Sequence, residues 1–202
     1  MIYSSKIIEE AVDQIATLPG IGKRTALRLV LHLLRKDGRD IERFTGAIQN
    51  LHDKINYCTT CFNLSDTQIC QICSDNNRDA SLVCVVQDIR DVMAIESTQQ
   101  FPGRYHVLGG IISPMDGVGP QDLRIKELVT RLEAAEIKEV IFALSTTMEG
   151  ETTSFYLYKK IAPFEVNVSS IARGIAVGDE IEYADEVTLG RSILNRQPYS
   201  GQ

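Results

Sequence analysis

Four cysteines, Cys58, Cys61, Cys70 and Cys73, constrain this chain more than any other feature. They form two C-x2-C pairs separated by eight residues. Each pair can present two thiolates to one side of a tetrahedron, and the connection is long enough to fold the pairs round one ion. Zinc suits four soft thiolates in tetrahedral geometry, and such a closed site leaves no open position for catalysis. The spacing therefore predicts a knuckle built on one structural zinc per chain. A disulfide framework is the weaker reading for an intracellular chain, and a redox C-x2-C is not expected twice in so short a span. His52 precedes the cluster as a further candidate ligand, but four thiolates already satisfy the ion. The fifth cysteine, Cys84, lies in the apolar run Leu82-Val83-Cys84-Val85-Val86 and reads as a small buried hydrophobe.

The knuckle separates two kinds of periodicity. Before it, Ile7, Ile8, Ala11, Val12 and Ile15 recur at helix-face spacing behind Ser4 and Ser5, either of which can cap a helix. Ala26, Leu29, Val30, Leu33 and Leu34 do the same after Leu18-Pro19-Gly20-Ile21-Gly22. Two helices joined by Pro-Gly-x-Gly form a helix-hairpin-helix. Gly20 and Gly22 permit positive φ and a close backbone approach. The second helix then turns its unpaired N–H groups and positive dipole end outward, an arrangement that suits a phosphate. Lys23, Arg24 and Arg28 add charge beside it, and Arg24, Arg28 and Arg35 fall on one helical face. Gly20, Gly22, Lys23, Arg24 and Arg28 are thus candidate DNA-binding residues, gripping backbone without reading sequence. An ordinary αα-turn with a glycine cap is the competing reading. His32, inside the apolar second helix, reads as a packed side chain. Beyond a break at Gly38, the recurrence of Ile41, Phe44, Ile48, Leu51 and Ile55 predicts a third helix.

From residue 80 onward, short apolar runs alternate with helical stretches. Strands are expected at 82–86, 105–108, 140–144 and 166–170. Helices are expected after Asp88, which can cap the first, around Leu123, Leu128 and Leu132, and at 155–161. That alternation implies a mostly parallel sheet with both faces covered. His106 falls inside a strand, where burial and a hydrogen bond are the default. The fold class is a multidomain α/β protein: a helical domain at 1–57, a four-cysteine zinc motif and linker at 58–79, an α/β domain at 80–175, and a C-terminal segment at 176–202.

Charge qualifies the nucleic-acid reading. The 202 residues carry a net charge of −6. Residues 1–57 hold nine Lys/Arg against seven Asp/Glu, and the remainder holds twelve against twenty. A basic N-terminal segment on an acidic body can hold DNA at one end and offer a second surface to protein partners. No apolar run reaches the eighteen or so residues that cross a membrane, and Met1-Ile2-Tyr3-Ser4-Ser5-Lys6 opens no signal-peptide core. A cytoplasmic location is expected.

A helix-hairpin-helix, a four-cysteine knuckle and an α/β domain in this order resemble the bacterial recombination mediator family RecR. Two further stretches carry the resemblance. One runs Arg104-Tyr-His-Val-Leu-Gly-Gly-Ile-Ile-Ser-Pro-Met-Asp-Gly-Val-Gly-Pro120. The other runs Ala172-Arg-Gly-Ile-Ala-Val-Gly-Asp-Glu-Ile-Glu-Tyr-Ala-Asp-Glu-Val-Thr-Leu189. The similarity implies a Toprim fold from residue 80 and a ring-like homotetramer that binds single-stranded or gapped DNA. It also implies work with RecO, and in some bacteria RecF, to load RecA on strands coated by single-strand-binding protein. In such a family the hairpin serves DNA contact or subunit association. Arg24 and Arg28 match its basic positions, whereas Lys23 departs from the common pattern.

Catalytic Toprim domains hold Mg²⁺ through a glutamate after the first strand and an Asp-x-Asp after a later one, because Mg²⁺ takes hard oxygen ligands. Here Gln87 stands at the first position and Ser145-Thr146-Thr147 at the second. The nearest acids, Glu149 and Glu151, are expected in a loop, where with Asp88 and Asp91 they can form an acidic patch for a protein partner. A non-enzymatic scaffold is the leading expectation. A Mg²⁺-dependent nuclease or primase-like enzyme is the alternative.

Overall fold

The computed structural model describes residue 3 and residues 5–198. It divides into two compact units, residues 1–55 and 56–202. The first unit is helical: α1 (Lys6–Ile15), α2 (Lys23–Leu33) and α3 (Gly38–Lys54). Ser5 sits at the N-cap of α1 with extended backbone but makes no side-chain cap bond. Ser4, the other expected cap, lies outside the described residues. Val12 of α1 and Ala26 and Val30 of α2 form the buried centre, with Ile8, Ala11, Ile15, Ile21 and Leu27 packed round it.

One expectation for this unit is corrected. The break before α3 falls at Asp37, whose carboxylate accepts from the Asp40 N–H at 2.8 Å. Gly38 is already helical, because an aspartate N-cap satisfies the first turn better than glycine can. The third helix forms as expected, with its apolar series outside the unit's buried cluster. Phe44, Ile48 and Leu51 are 49%, 55% and 60% exposed, so the helix shows an apolar stripe to its surroundings.

The second unit begins with the short antiparallel pair β1 (Asn56–Tyr57) and β2 (Leu64–Ser65), followed by α4 (Gln71–Ser74). A four-stranded sheet follows, built from β3 (Asp79–Val86), β4 (Gly103–Val107), β5 (Glu139–Ala143) and β6 (Asn167–Ser170). Its order is β4-β3-β5-β6, and every pairing is parallel. Crossovers are made by α5 (Ile89–Ser97), α6 (Ile125–Ala134) and α7 (Met148–Ile161), and α8 (Glu186–Leu194) is the last helix of the described chain. A fully parallel sheet needs cover on both faces, and two apolar clusters supply it. Val83, Val85, Val140 and Phe142 meet Leu128, Leu132, Leu157 and Ile161 in one. Cys84, Val86, Tyr105 and Val107 meet Val92 in the other. Alternate residues of β3 thus serve opposite faces. Among the described residues no helix is long and apolar enough to cross a membrane.

Candidate metal centre and nucleic-acid interface

The four cysteine thiols converge within 4.8 Å of one another, and all four side chains are buried. A tight β-hairpin brings the first pair round, and α4 carries Cys73. Cys61 Sγ lies 3.5 Å from Cys70 Sγ. The Cys70 N–H donates to Cys58 Sγ at 3.3 Å, the kind of backbone contact that steadies a thiolate. So close a set cannot ionise alone. The hydrogen bond with Cys70 pushes the Cys61 thiol far up, and the same bond draws Cys70 far down. A dication at the centre removes that conflict, and the donor set fits Zn²⁺. His52 takes no part in the cluster; its Nδ1 lies 3.0 Å from Asp53 Oδ1. Cys84, on β3, is buried as expected of a small hydrophobe, and burial pushes its thiol up to about 12.

The knuckle is fastened to the sheet. The Val107 N–H on edge strand β4 donates to the Cys61 carbonyl at 2.8 Å. Phe62, at positive φ, packs edge-on against the His106 ring, with the Arg124 guanidinium 5.0 Å from the Phe62 ring centre. His106 is fully buried, and its Nε2 lies 2.7 Å from the Arg124 carbonyl. Burial draws its pKa down to about 4. The ring is therefore neutral, with the proton on Nε2 and Nδ1 left without a partner.

In the helical unit the hairpin turn is drawn tight. Gly20 has φ +77°, the left-handed region that glycine occupies without strain. The Ile21 N–H closes the turn onto the Leu18 carbonyl at 3.1 Å. Gly22 is the N-cap of α2, and no side chain caps the helix there. The first-turn N–H groups are thus open to an anion. Arg24 and Arg28 are exposed and line a groove of about 400 Å³ together with Leu27, Leu31, His32 and Arg35. Lys23 behaves differently, because its Nζ lies 3.0 Å from Asp13 Oδ1 and ties α2 to α1.

The packed position expected for His32 is corrected. It is exposed on the arginine face of α2. Its i+4 spacing from Arg28 is the signal in the sequence that places it there.

The expected acidic patch is not a free cluster of carboxylates. Asp88 caps α5, accepting from the Arg90 N–H at 2.7 Å, and its carboxylate also pairs with the Arg90 guanidinium. That pairing holds Asp88 below the usual carboxylate range. Asp91 accepts from the Asp88 N–H at 2.9 Å, completing a capping box. Glu149 and Glu151 lie in the first turn of α7, not in a loop. The Thr147 hydroxyl caps that helix by accepting from the Gly150 N–H at 3.2 Å, which starts the helix seven residues earlier than the apolar pattern implies. Glu151 pairs with Arg173.

The comparisons with known proteins cover nearly the whole chain. Residues 8–52 match the family model "RecR, helix-hairpin-helix", and 55–75 match the RecR model for a four-cysteine zinc finger domain. Residues 81–172 match "Toprim domain" and 174–197 match "RecR, C-terminal". A protein of Bacteroides thetaiotaomicron named "Recombination protein RecR" is 60% identical over 199 residues, covering 98% of this chain and 97% of its own. One of the same name from Porphyromonas gingivalis is 60% identical over 198 residues, covering 98% and 96%. This chain belongs to the RecR family. A relative from Flavobacterium johnsoniae bearing the same name is 57% identical over 98% of this chain and 97% of its own. The RecR zinc-finger match falls on the four convergent thiols, so the chain carries one structural zinc held by Cys58, Cys61, Cys70 and Cys73.

Proposed function

We propose that this RecR-family chain is a non-enzymatic DNA-binding scaffold of recombinational repair. In this reading it acts with RecO, and with RecF where present, to promote RecA loading on gapped or single-stranded DNA. One observation carries the DNA contact: the uncapped start of α2 at Gly22 lies beside the exposed Arg24–Arg28–Arg35 face. Helix N–H groups and guanidinium forks are both phosphate donors, and neither reads a base. Gly20 and Gly22 bring the backbone close, and Lys23 reinforces the hairpin through Asp13.

A single hairpin with two or three phosphate contacts binds weakly at physiological salt, so assembly with copies of the chain must multiply it. The exposed apolar stripe of α3, and Val187, Ile193 and Leu194 on α8, support self-association into the tetramer that the resemblance implies. Glu149, in the first turn of α7, and Glu151 remain the candidate contacts for a protein partner.

Against the enzymatic alternative stand Gln87 and Ser145-Thr146-Thr147 where Mg²⁺ ligands would be needed. The neighbouring carboxylates Asp88, Asp91 and Glu151 are committed to caps and an ion pair.

The test is DNA affinity by fluorescence anisotropy across a salt titration, wild type against Arg24→Ala/Arg28→Ala, with oligomeric state checked for both. The slope of log K against log salt counts contacts at roughly 0.7–0.9 per phosphate. A steep wild-type slope that flattens in the variant supports the reading. Equal binding by both proteins moves the DNA contact off the hairpin.

A further inference from the structure

Two guanidiniums stand at the junction of the knuckle and the sheet without a carboxylate. Arg104 belongs to β4 and Arg131 to α6, and neither makes an ion pair among the described residues. The Nε of Arg104 is buried with no hydrogen-bond partner. Arg131 Nη1 donates to the Tyr105 carbonyl at 2.6 Å, a neutral acceptor. Both side chains are half-buried, and a cation that gives up part of its solvent is normally paired, because desolvation without a counter-charge is unfavourable. Two such groups close together repel as well, and Arg104 does act against the charge of Arg131.

A zinc-loaded knuckle is itself an anion. Four thiolates and one Zn²⁺ sum to a net charge of −2, equal and opposite to the two arginines. Arg131 lies beside the segment that carries the first two ligands. Arg131 lines one side of a groove of about 510 Å³ whose other residues include Thr59, Thr60 and Phe62, the segment that carries Cys58 and Cys61. Its acceptor, Tyr105, is two residues from Val107, which holds the Cys61 carbonyl. Burial draws the Arg131 guanidinium down, while the negative charges of Cys73, Cys61 and Cys58 push it back up.

We propose that Arg131, with Arg104 beside it, supplies the counter-charge of the zinc–thiolate centre, so that zinc retention by the knuckle depends on positioning residues of the Toprim domain. The knuckle and the sheet are then joined by charge as well as by the Val107–Cys61 hydrogen bond. This role is independent of DNA binding.

Zinc release from the full-length chain to a chromophoric chelator, in the presence of a fixed thiol reagent, tests the proposal. Arg131→Met should release zinc about tenfold or more faster than wild type, the range seen when outer-shell partners of a metal site are lost. Arg131→Lys, which keeps the charge, should stay close to wild type. If Arg131→Met fails to fold, Arg104→Gln serves instead. It removes a charge whose Nε makes no hydrogen bond, and it too should speed release. Wild-type release rates in both neutral variants would overturn the proposal. So would an Arg131→Lys rate as fast as Arg131→Met, which would make the Tyr105 hydrogen bond, and not the charge, the reason for the arginine.

Discussion

Val107 and Cys61 are joined backbone to backbone, the strand N–H donating to the knuckle carbonyl at 2.8 Å. β4 is an edge strand of the parallel sheet, and unpaired edges are a liability unless covered. The metal knuckle is that cover. Chelation should therefore destabilise the α/β unit as well as the knuckle. Structural zinc contributes on the order of 10 kcal/mol to the folding of isolated zinc modules. Complete metal removal should lower the thermal midpoint and release the Val107 amide to hydrogen exchange ahead of the β3 and β5 amides. An unchanged melting curve after verified zinc loss would contradict this.

Burial of His106 gives the fold an acid-side weakness. Its folded pKa is drawn down to about 4, against about 6.5 in an unfolded chain. As pH falls through that window the unfolded state takes up the proton first. Stability from this group is thus complete above about pH 6.5 and is lost progressively toward pH 4, by about 3 kcal/mol in all. Urea midpoints measured between pH 7 and 4 should fall less steeply in His106→Gln than in wild type. Parallel slopes would show that the ring is accessible to protons in the folded chain.

Gly150 is a matter of space. A Cβ there would lie 2.0 Å from the Ser145 carbonyl oxygen, a backbone atom that cannot move aside alone. Gly150→Ala should cost about 1–3 kcal/mol or more in chemical denaturation. Gly190, on α8, has nothing within 4 Å of its notional Cβ. Gly190→Ala should be neutral or stabilising by up to about 1 kcal/mol, because alanine is the better helix former. Equal effects at the two sites would count against the close approach.

Restoring one acid should not restore chemistry. Gln87 follows β3, and no carboxylate stands in Ser145-Thr146-Thr147 after β5. Gln87→Glu is expected to show no Mg²⁺-dependent cleavage or synthesis on labelled DNA. Robust metal-dependent turnover would mean that other carboxylates complete a site.

Most of the architecture is legible in the sequence because it is written in short-range patterns. The four strands fall within a few residues of their apolar runs, since a buried parallel strand must be apolar on both faces. The cysteine spacing predicts a cluster, and folding closes it. Helix starts are harder to read. Thr147 and Asp37 begin α7 and α3 through side-chain caps, which leave no trace in apolar periodicity.

Residue type and spacing alone determined that four thiolates could meet, that the chain alternates strand and helix after them, and that arginines share a face of α2. These are properties of neighbours within a turn or two of chain. Tertiary structure decided what each face meets. Periodicity shows that Phe44, Ile48 and Leu51 lie on one side of α3, but not that this side stays outside the unit's own core. It shows that Glu151 and Arg173 carry opposite charges, but not that the fold brings them into contact across more than twenty residues. Arg131, likewise, comes to line a groove with Thr59, Thr60 and Phe62 of the knuckle only once α6 has folded beside it. Such pairings depend on how the chain folds back on itself, a three-dimensional fact that local spacing does not encode.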